Sequence, residues 1–274
     1  MRGYSGIQFW LLLSCFFSVE IVNGQDAIVV PASIEAMGGG GVSLTEAEAL
    51  PVNPASVSSS DFTAGVSYRN RFLLKELAAG DALLVIPVSG SRVFVQFDQF
   101  GNNSFRENHL GIGLARKFGE YLSGGIQFHY FQLRMAESER KPGLSTFSLG
   151  LNYGSAESGL GFSVFNPLSQ QMTSNDFTRE YPLVARLGGH KLFGDDLLVV
   201  SEVTWDNRTE VTVHAGLQYF LMERFCARAG VQTSTPSWSM GLGFLFGNVQ
   251  ADLAFSYHEY LGFSPSVSLY FKQR

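Results

Sequence analysis

Five histidines are the side chains in this chain best suited to bind a metal ion or to move protons. They are His109, His129, His190, His214 and His258, and no two of them lie two or four residues apart. Metal sites commonly take two ligands from one element at such short spacing. The sequence therefore favours ordinary polar roles for these histidines over a metal site, and we expect no cofactor.

A hydrolase would need carboxylates, or a serine with a histidine, gathered at one end of the fold. Asp98, Asp206, His258 and Glu259 are the candidates, because several of them fall near the ends of predicted strands. Their spacing singles out no pair, and acids in loops are ordinarily just solvated. We therefore expect a protein that is not an enzyme.

A third set of polar residues alternates with apolar residues along predicted strands and would face the inside of a closed sheet. Such residues could line a path for a solute. They could equally bond to one another and to an inserted segment, as buried polar groups must, and the sequence favours this second interpretation. Arg228 and Asp252 fall on nearby strands and are candidates for an ion pair. The predicted lumen-facing set is Gln96, Lys117, Gln127, His129, Arg186, Glu202, His214, Gln218, Arg228 and Asp252.

The start of the chain indicates export. Arg2 precedes an almost wholly apolar stretch from Ile7 to Val22, and small residues follow near Asn23-Gly24. This is the pattern of a cleaved signal peptide, which we assign to residues 1–24. A membrane anchor and a lipidated Cys15 are the weaker alternatives.

Composition narrows the class of protein further. Of 274 residues, 45% are apolar and only 16% are charged, well below the roughly 25% charge of soluble domains. A net charge of −5 without a basic run gives no sign of a nucleic-acid partner. Beyond the signal, no apolar stretch reaches the roughly 18 to 20 residues of a membrane helix.

Alternating strands fill the chain from residue 61 onward. Trp238, Met240 and Leu242, for example, alternate with small residues, and a Phe-Gly turn recurs at Gly119, Gly194 and Gly247. About fourteen strands fit, joined alternately by tight turns and by longer polar connections. The predicted strands cover 61–69, 79–88, 91–100, 108–118, 120–134, 145–154, 157–167, 181–193, 195–206, 210–222, 224–234, 237–247, 249–259 and 262–272.

This pattern predicts an all-β fold: a closed antiparallel transmembrane β-barrel over residues 61–274, in the outer membrane of a Gram-negative bacterium. Short turns would lie in the periplasm, and lipid would cover the apolar face. A soluble sandwich or propeller is the alternative. The inward face is unusually rich in Gly and Ser, which favours a crowded or plugged lumen.

Residues 25–60 differ from the rest and predict a segment that plugs the barrel. Gly38, Gly39, Gly40 and Gly41 form a flexible run, Ser43 to Glu46 has the spacing of a capping box for a short helix through Leu50, and Asn53, Pro54 and Ala55 precede the first strand. The Asn53 side chain is expected to cap backbone groups where this segment meets the wall.

These features resemble the plug that opens proteins of the FadL superfamily, and they are most similar to the PorV/PorQ-type proteins of Bacteroidetes. Thr45-Glu46 and Val52 depart from the usual Asp residues and aromatic, which leaves the subfamily open. The resemblance implies a fourteen-stranded barrel. It also implies one of two functions: an accessory of type IX surface protein secretion that binds secretion proteins or cargo, or a passive channel for small hydrophobic molecules. Short outer connections favour the first.

Overall fold

The computed structural model describes residues 28–56, 62–136, 140–174, 177–208, 211–233 and 237–273. The predicted signal peptide lies outside these residues, as do both ends of the predicted plug, so the boundaries of those two segments remain predictions. Within the described part, fourteen strands form one closed antiparallel barrel and two further strands pair only with each other. The predicted barrel is confirmed.

The strands follow the chain order, and each barrel strand pairs with its neighbours in sequence, except that β7 pairs with β10. The closing pair is β1 with β16, in a register that sets Ser67 opposite Ser268. The strands are β1 Thr63–Asn70, β2 Ala78–Val88, β3 Ser91–Gly101, β4 Phe105–Phe118, β5 Leu122–Met135, β6 Gly143–Gly154, β7 Ser158–Phe165, β8 Gln171–Ser174, β9 Phe177–Glu180, β10 Val184–Phe193, β11 Leu197–Asp206, β12 Thr212–Met222, β13 Phe225–Gln232, β14 Ser237–Phe246, β15 Val249–His258 and β16 Gly262–Lys272.

The described helical structure is short. A four-residue helix, α1, covers Ala32–Glu35, and 3₁₀ turns cover Ala47–Ala49, Arg71–Leu73 and Lys75–Leu77. The prediction of a helix from Ser43 to Leu50 was therefore wrong, because most of this stretch is not helical. Only the turn Ala47–Ala49 is present, and no side chain caps it. Shortly before it, Gly41 and Val42 donate their backbone N–H groups to Glu202 of the barrel wall.

Side chains alternate between the two faces of the wall, as a period of two requires. On β4, Leu110, Ile112 and Leu114 are exposed on the outside, while Gly111 and Gly113 lie on the buried inner face. This exposed apolar band is the surface that a lipid bilayer would cover. Among the described residues, no helix is long and apolar enough to cross a membrane.

Aromatic side chains mark both ends of this band. At the end with short turns, Phe118, Phe193 and Phe246 are all at least half exposed and each immediately precedes a turn glycine. Near the end with longer connections, Trp205 and Trp238 are exposed. Two aromatic belts of this kind are typical of barrels that sit in a bilayer, with the short turns in the periplasm.

Residues 28–56, hereafter the N-terminal segment, lie inside the barrel. The backbone nitrogen of Val29 donates to Asp98 of β3 at 2.7 Å, and that of Gly38 donates to Ser239 of β14 at 2.9 Å. Further along, Ser163 of β7 donates to a carbonyl of the segment at 2.9 Å. The segment thus bonds to strands on opposite sides of the barrel and fills much of its interior.

Glycines on the inner face make room for this segment. A Cβ atom at Gly230 would overlap the backbone nitrogen of Gly38, and one at Gly125 would overlap the carbonyl oxygen of Pro54. At both positions the segment's main chain occupies the space that a side chain would need. At these two positions, the inward glycine allows two backbones to approach closely.

We expect Gly230→Ala to lower the thermal stability of the purified barrel by about 1 to 3 kcal/mol, because the new methyl group must displace the N-terminal segment. The measurement is thermal unfolding in detergent. Gly80→Ala is the matched control, since its Cβ would meet nothing closer than 3.6 Å. Equal stability of the two variants would contradict the close contact.

Candidate functional site: the barrel lumen

The structure places most of the predicted lumen-facing residues in the interior. Arg186 is half-buried, and Lys117 is exposed at the end of β4, next to a turn. Whether any of these residues lines a path for solutes stays a prediction. The buried members are Gln96, Gln127, His129, Glu202, His214, Gln218, Arg228 and Asp252.

Ion pairs compensate the buried charges on one side of the lumen. The Arg228 guanidinium donates to Asp252 at 2.6 Å and to Gln218, also at 2.6 Å. Arg186 and Glu202 are 2.8 Å apart. The Arg228–Asp252 pair that the sequence suggested is thus present, and these groups bond to one another rather than standing open to a channel.

The predicted glycine run is held by Glu202 and His214. Both Gly41 and Val42 donate their backbone N–H groups to Glu202 Oε2, at 2.8 and 2.9 Å, and His214 Nδ1 lies 2.7 Å from the carbonyl oxygen of Gly38. Hydrogen bonds to a carboxylate are stronger than neutral ones. Glu202 is therefore a strong attachment point between the wall and the N-terminal segment.

Asn53 caps backbone groups as its position before Pro54 suggested. Its Nδ2 donates to the carbonyl oxygen of Val42 at 2.6 Å, and its Oδ1 accepts the N–H of Ala55 at 2.9 Å. Ser123 of β5 then donates to the carbonyl oxygen of Ala55 at 2.8 Å. The Asn-Pro-Ala stretch links two parts of the segment and ties them to the wall.

A buried chain of hydrogen bonds links side chains on four neighbouring strands, β3 to β6. His109 Nδ1 lies 2.7 Å from Asp98 Oδ2, His109 Nε2 lies 2.8 Å from His129 Nδ1, and His129 Nε2 lies 2.7 Å from Ser148 Oγ. Sequence spacing missed this chain, because its members are 11, 20 and 19 residues apart. Only the pairing register of β3 and β4 would have predicted the contact, because it sets His109 directly opposite Asp98.

An apolar cluster occupies the lumen at the end with longer connections. It brings together the inner face of β5 to β7 and the connection 166–183, which carries the hairpin β8–β9. Ile28 of the N-terminal segment packs against it. This cluster was not predicted, because residues near 168–180 have the composition of a polar loop. Its buried members are Phe131, Leu133, Leu144, Phe165, Met172, Tyr181 and Val184.

Polar anchors fix this connection over the apolar cluster. The Tyr181 phenol donates to Glu107, and Arg179 forms an ion pair with the same carboxylate at 2.7 Å. The Arg179 guanidinium also lies 5.6 Å from the centre of the Phe105 ring. Burial raises the pKa of the Tyr181 phenol, so it keeps its proton and remains a donor.

The candidate hydrolase residues are not brought together. Asp98 is buried on β3, Asp206 ends β11 beside Arg208, and His258 on β15 contacts the rings of Phe72 and Tyr260. Within the described ranges, no three His, Cys, Asp or Glu side chains are arranged to hold a metal ion.

The fold and lumen define a fourteen-stranded membrane-type barrel with a segment of its own chain inside. Among solved structures, it is similar to the monoaromatic hydrocarbon channel CymD (14% identity, TM-score 0.62, 90% of this chain and 97% of that one). It is also similar to the P. putida toluene transporter TodX (13%, 0.60, 90% and 97%) and to a Pseudomonas aeruginosa FadL homologue (13%, 0.60, 89% and 97%). At such identities the likeness shows the fold alone. No family model and no curated protein matches the chain.

We expect Glu202→Gln to loosen the N-terminal segment, because it removes the charge that accepts two backbone N–H groups. The measurement uses a cysteine introduced by Ser43→Cys in a Cys226→Ser background. Because Ser43 is buried, maleimide can label this cysteine only when the segment loosens, so the labelling rate reports the loosening. If the variant loses about 1.5 to 3 kcal/mol of the free energy that holds the segment in place, labelling should be faster by about tenfold or more. Glu157→Gln, at an exposed turn, is the control and should leave the rate unchanged.

Proposed function

We propose that the protein is an outer-membrane channel that admits small hydrophobic compounds. The observation that carries this proposal is the apolar cluster at the outer end of the lumen. A porin for water-soluble solutes keeps a polar, water-filled interior. Here a ligand on its way inward would pass the buried cluster that contains Phe131, Phe165 and Met172, which favours apolar compounds.

The comparisons support the same class of substrate. CymD is a monoaromatic hydrocarbon channel and TodX is a toluene transporter, and each shares this fold over nearly its whole length. Both the shared architecture and the apolar outer lumen therefore favour the channel hypothesis. The connection 166–183 supplies the hydrophobic entry that the sequence did not reveal.

The sequence had favoured the other hypothesis, a PorV/PorQ-type accessory of type IX secretion. It rested on short outer connections and on the Gly-rich and Asn-Pro-Ala motifs. The motifs have a structural use inside the barrel, since they bond to Glu202 and Ser123, and they do not discriminate between the two functions. The solved structures described above favour the channel.

We propose that the predicted plug, residues 25–60, closes the lumen to hydrophilic solutes. Its described part bonds to the inner wall through Asp98, Ser239 and Glu202, among others. Gly38 to Gly41 allow close approach to the wall, and Asn53, Pro54 and Ala55 fix the other end. Lipid would cover the outward apolar face of the surrounding wall.

We expect cells or liposomes that carry the protein to take up toluene faster than those that lack it. The rate of monosaccharide uptake should be the same with and without the protein. Equal rates for toluene with and without the protein would contradict the channel. If deletion of the gene instead removed secreted proteins from the cell surface and left toluene uptake intact, the secretion hypothesis would stand.

Met172→Asn tests the entry site directly. It places an unpaired amide within the apolar cluster, at a cost of about 1 to 3 kcal/mol, and we expect toluene uptake to fall by about fivefold or more. The matched control is Leu168→Asn, in the same connection but 63% exposed. Similar uptake by the two variants would show that the cluster does not lie on the path.

A further inference from the structure

Buried carboxylates in the described residues are matched with basic side chains, with one exception. Six have an Arg or Lys partner, and Asp98 contacts the His109 ring, which carries a charge only when it is protonated. The exception is Asp81 of β2, which is only 6% exposed and lies in no ion pair. The matched pairs are Glu35–Arg69 at 2.9 Å, Glu48–Lys272 at 2.7 Å, Glu107–Arg179 at 2.7 Å, Glu202–Arg186 at 2.8 Å, Asp206–Arg208 at 3.7 Å and Asp252–Arg228 at 2.6 Å.

The Asp81 carboxylate lies beside the hydroxyl and the backbone N–H of Ser67 and opposite a second carboxylate. Ser67 of β1 is its direct cross-strand partner on one side, and Asp98 of β3 is its partner on the other. The Tyr270 phenol of β16 is close enough to interact electrostatically with Asp81 and with Ser67. Neither direct cross-strand partner of Asp81 is a Lys or an Arg, and Arg69, two residues beyond Ser67 on β1, forms an ion pair with Glu35.

Four oxygen atoms at this place have no hydrogen bond of good geometry with any described residue. They are both carboxylate oxygens of Asp81, Ser67 Oγ and the Tyr270 hydroxyl. All three residues are more than nine-tenths buried. Buried polar groups almost always have partners, so four such atoms from three adjacent strands require an explanation.

A buried ionised carboxylate without compensation is costly, and Asp98 opposite adds a repulsion. A proton on Asp81 would compensate its charge but would provide a partner for one oxygen only. A hard cation compensates the charge and can contact several oxygens at once, because Ca²⁺ takes six to eight oxygen ligands and tolerates irregular geometry.

We propose that Asp81, Ser67 and Tyr270 form a binding site for one hard metal cation, of the Ca²⁺ or Na⁺ class, on the inner wall. Donor atoms that are all oxygen disfavour soft transition metals. The site has one carboxylate and two hydroxyls. It therefore differs from the clusters of three His, Cys, Asp or Glu side chains, of which the described residues contain none.

The position of the site gives the cation a structural task. It lies where β16, β1 and β2 meet, which is the seam that closes the barrel. Helix α1 of the N-terminal segment packs on β16 at the same seam, where the Ala32 N–H donates to Ser268. A bound cation would therefore fasten the first and last strands together beneath the segment.

The test uses the full protein, refolded in a nonionic detergent and stripped with a chelator. Thermal unfolding is followed in choline chloride and then with CaCl₂ or NaCl added at matched ionic strength. We expect one of the two metals at about 100 times its dissociation constant to raise Tm by about 5 °C or more. Elemental analysis after desalting should find about one equivalent of bound Ca²⁺ if Ca²⁺ is the ligand.

Asp81→Asn should abolish the response to the metal and should raise Tm in choline chloride, because it removes an uncompensated buried charge. Tyr270→Phe and Ser67→Ala should keep the fold and weaken metal binding by about fivefold or more, so the test survives if the Asp81 variant fails to fold. Asp195→Asn, at an exposed turn, is the control for nonspecific binding.

Two results would overturn the proposal. A wild-type Tm that responds to neither metal would mean that a proton or water satisfies Asp81. Equal responses from the wild type, Asp81→Asn and Tyr270→Phe would place the metal on the protein surface or the detergent.

Discussion

The pairing of β1 with β16 is the constraint on which the rest of the structure depends. It closes the sheet, so that no strand edge is left without hydrogen bonds in lipid. Closure also divides the side chains into an outward, exposed set, which a bilayer would cover, and an inward set, which is mostly buried. Each inward polar group must then find a partner within the barrel.

The N-terminal segment provides many of those partners. Its backbone N–H groups bond to carboxylates and hydroxyls of the wall, such as Asp98, Glu202 and Ser239. The wall in turn provides glycines, such as Gly230, where two backbones meet. Wall and segment therefore depend on each other: neither the polar inner residues nor the irregular segment would be satisfied alone.

The sequence predicted the barrel and its strands because a period of two and Phe-Gly turns are local signals. The wrong prediction of a helix from Ser43 shows the limit of local signals, since contacts with the wall decide the conformation there. The hydrogen-bonded chain from Asp98 through His109 to His129 depends on register between distant strands. The apolar cluster depends on a connection folding inward, which composition alone did not indicate.

The same contacts bear on how a ligand would pass. Moving the N-terminal segment would break charge-assisted hydrogen bonds at Glu202 in addition to its other bonds with the wall. The hairpin β8–β9 pairs only with itself, so it can move without breaking the barrel ladder. The described attachments of the hairpin and its flanks include the contacts of Glu107 with Arg179 of β9 and with Tyr181, and the apolar cluster itself. An apolar ligand can replace the cluster's own contacts as it enters, whereas it cannot replace the bonds that Glu107 and Glu202 accept. Opening beside the hairpin would break the bonds to the single carboxylate Glu107, whereas withdrawing the segment would break bonds to several wall side chains, among them Asp98, Glu202 and Ser239.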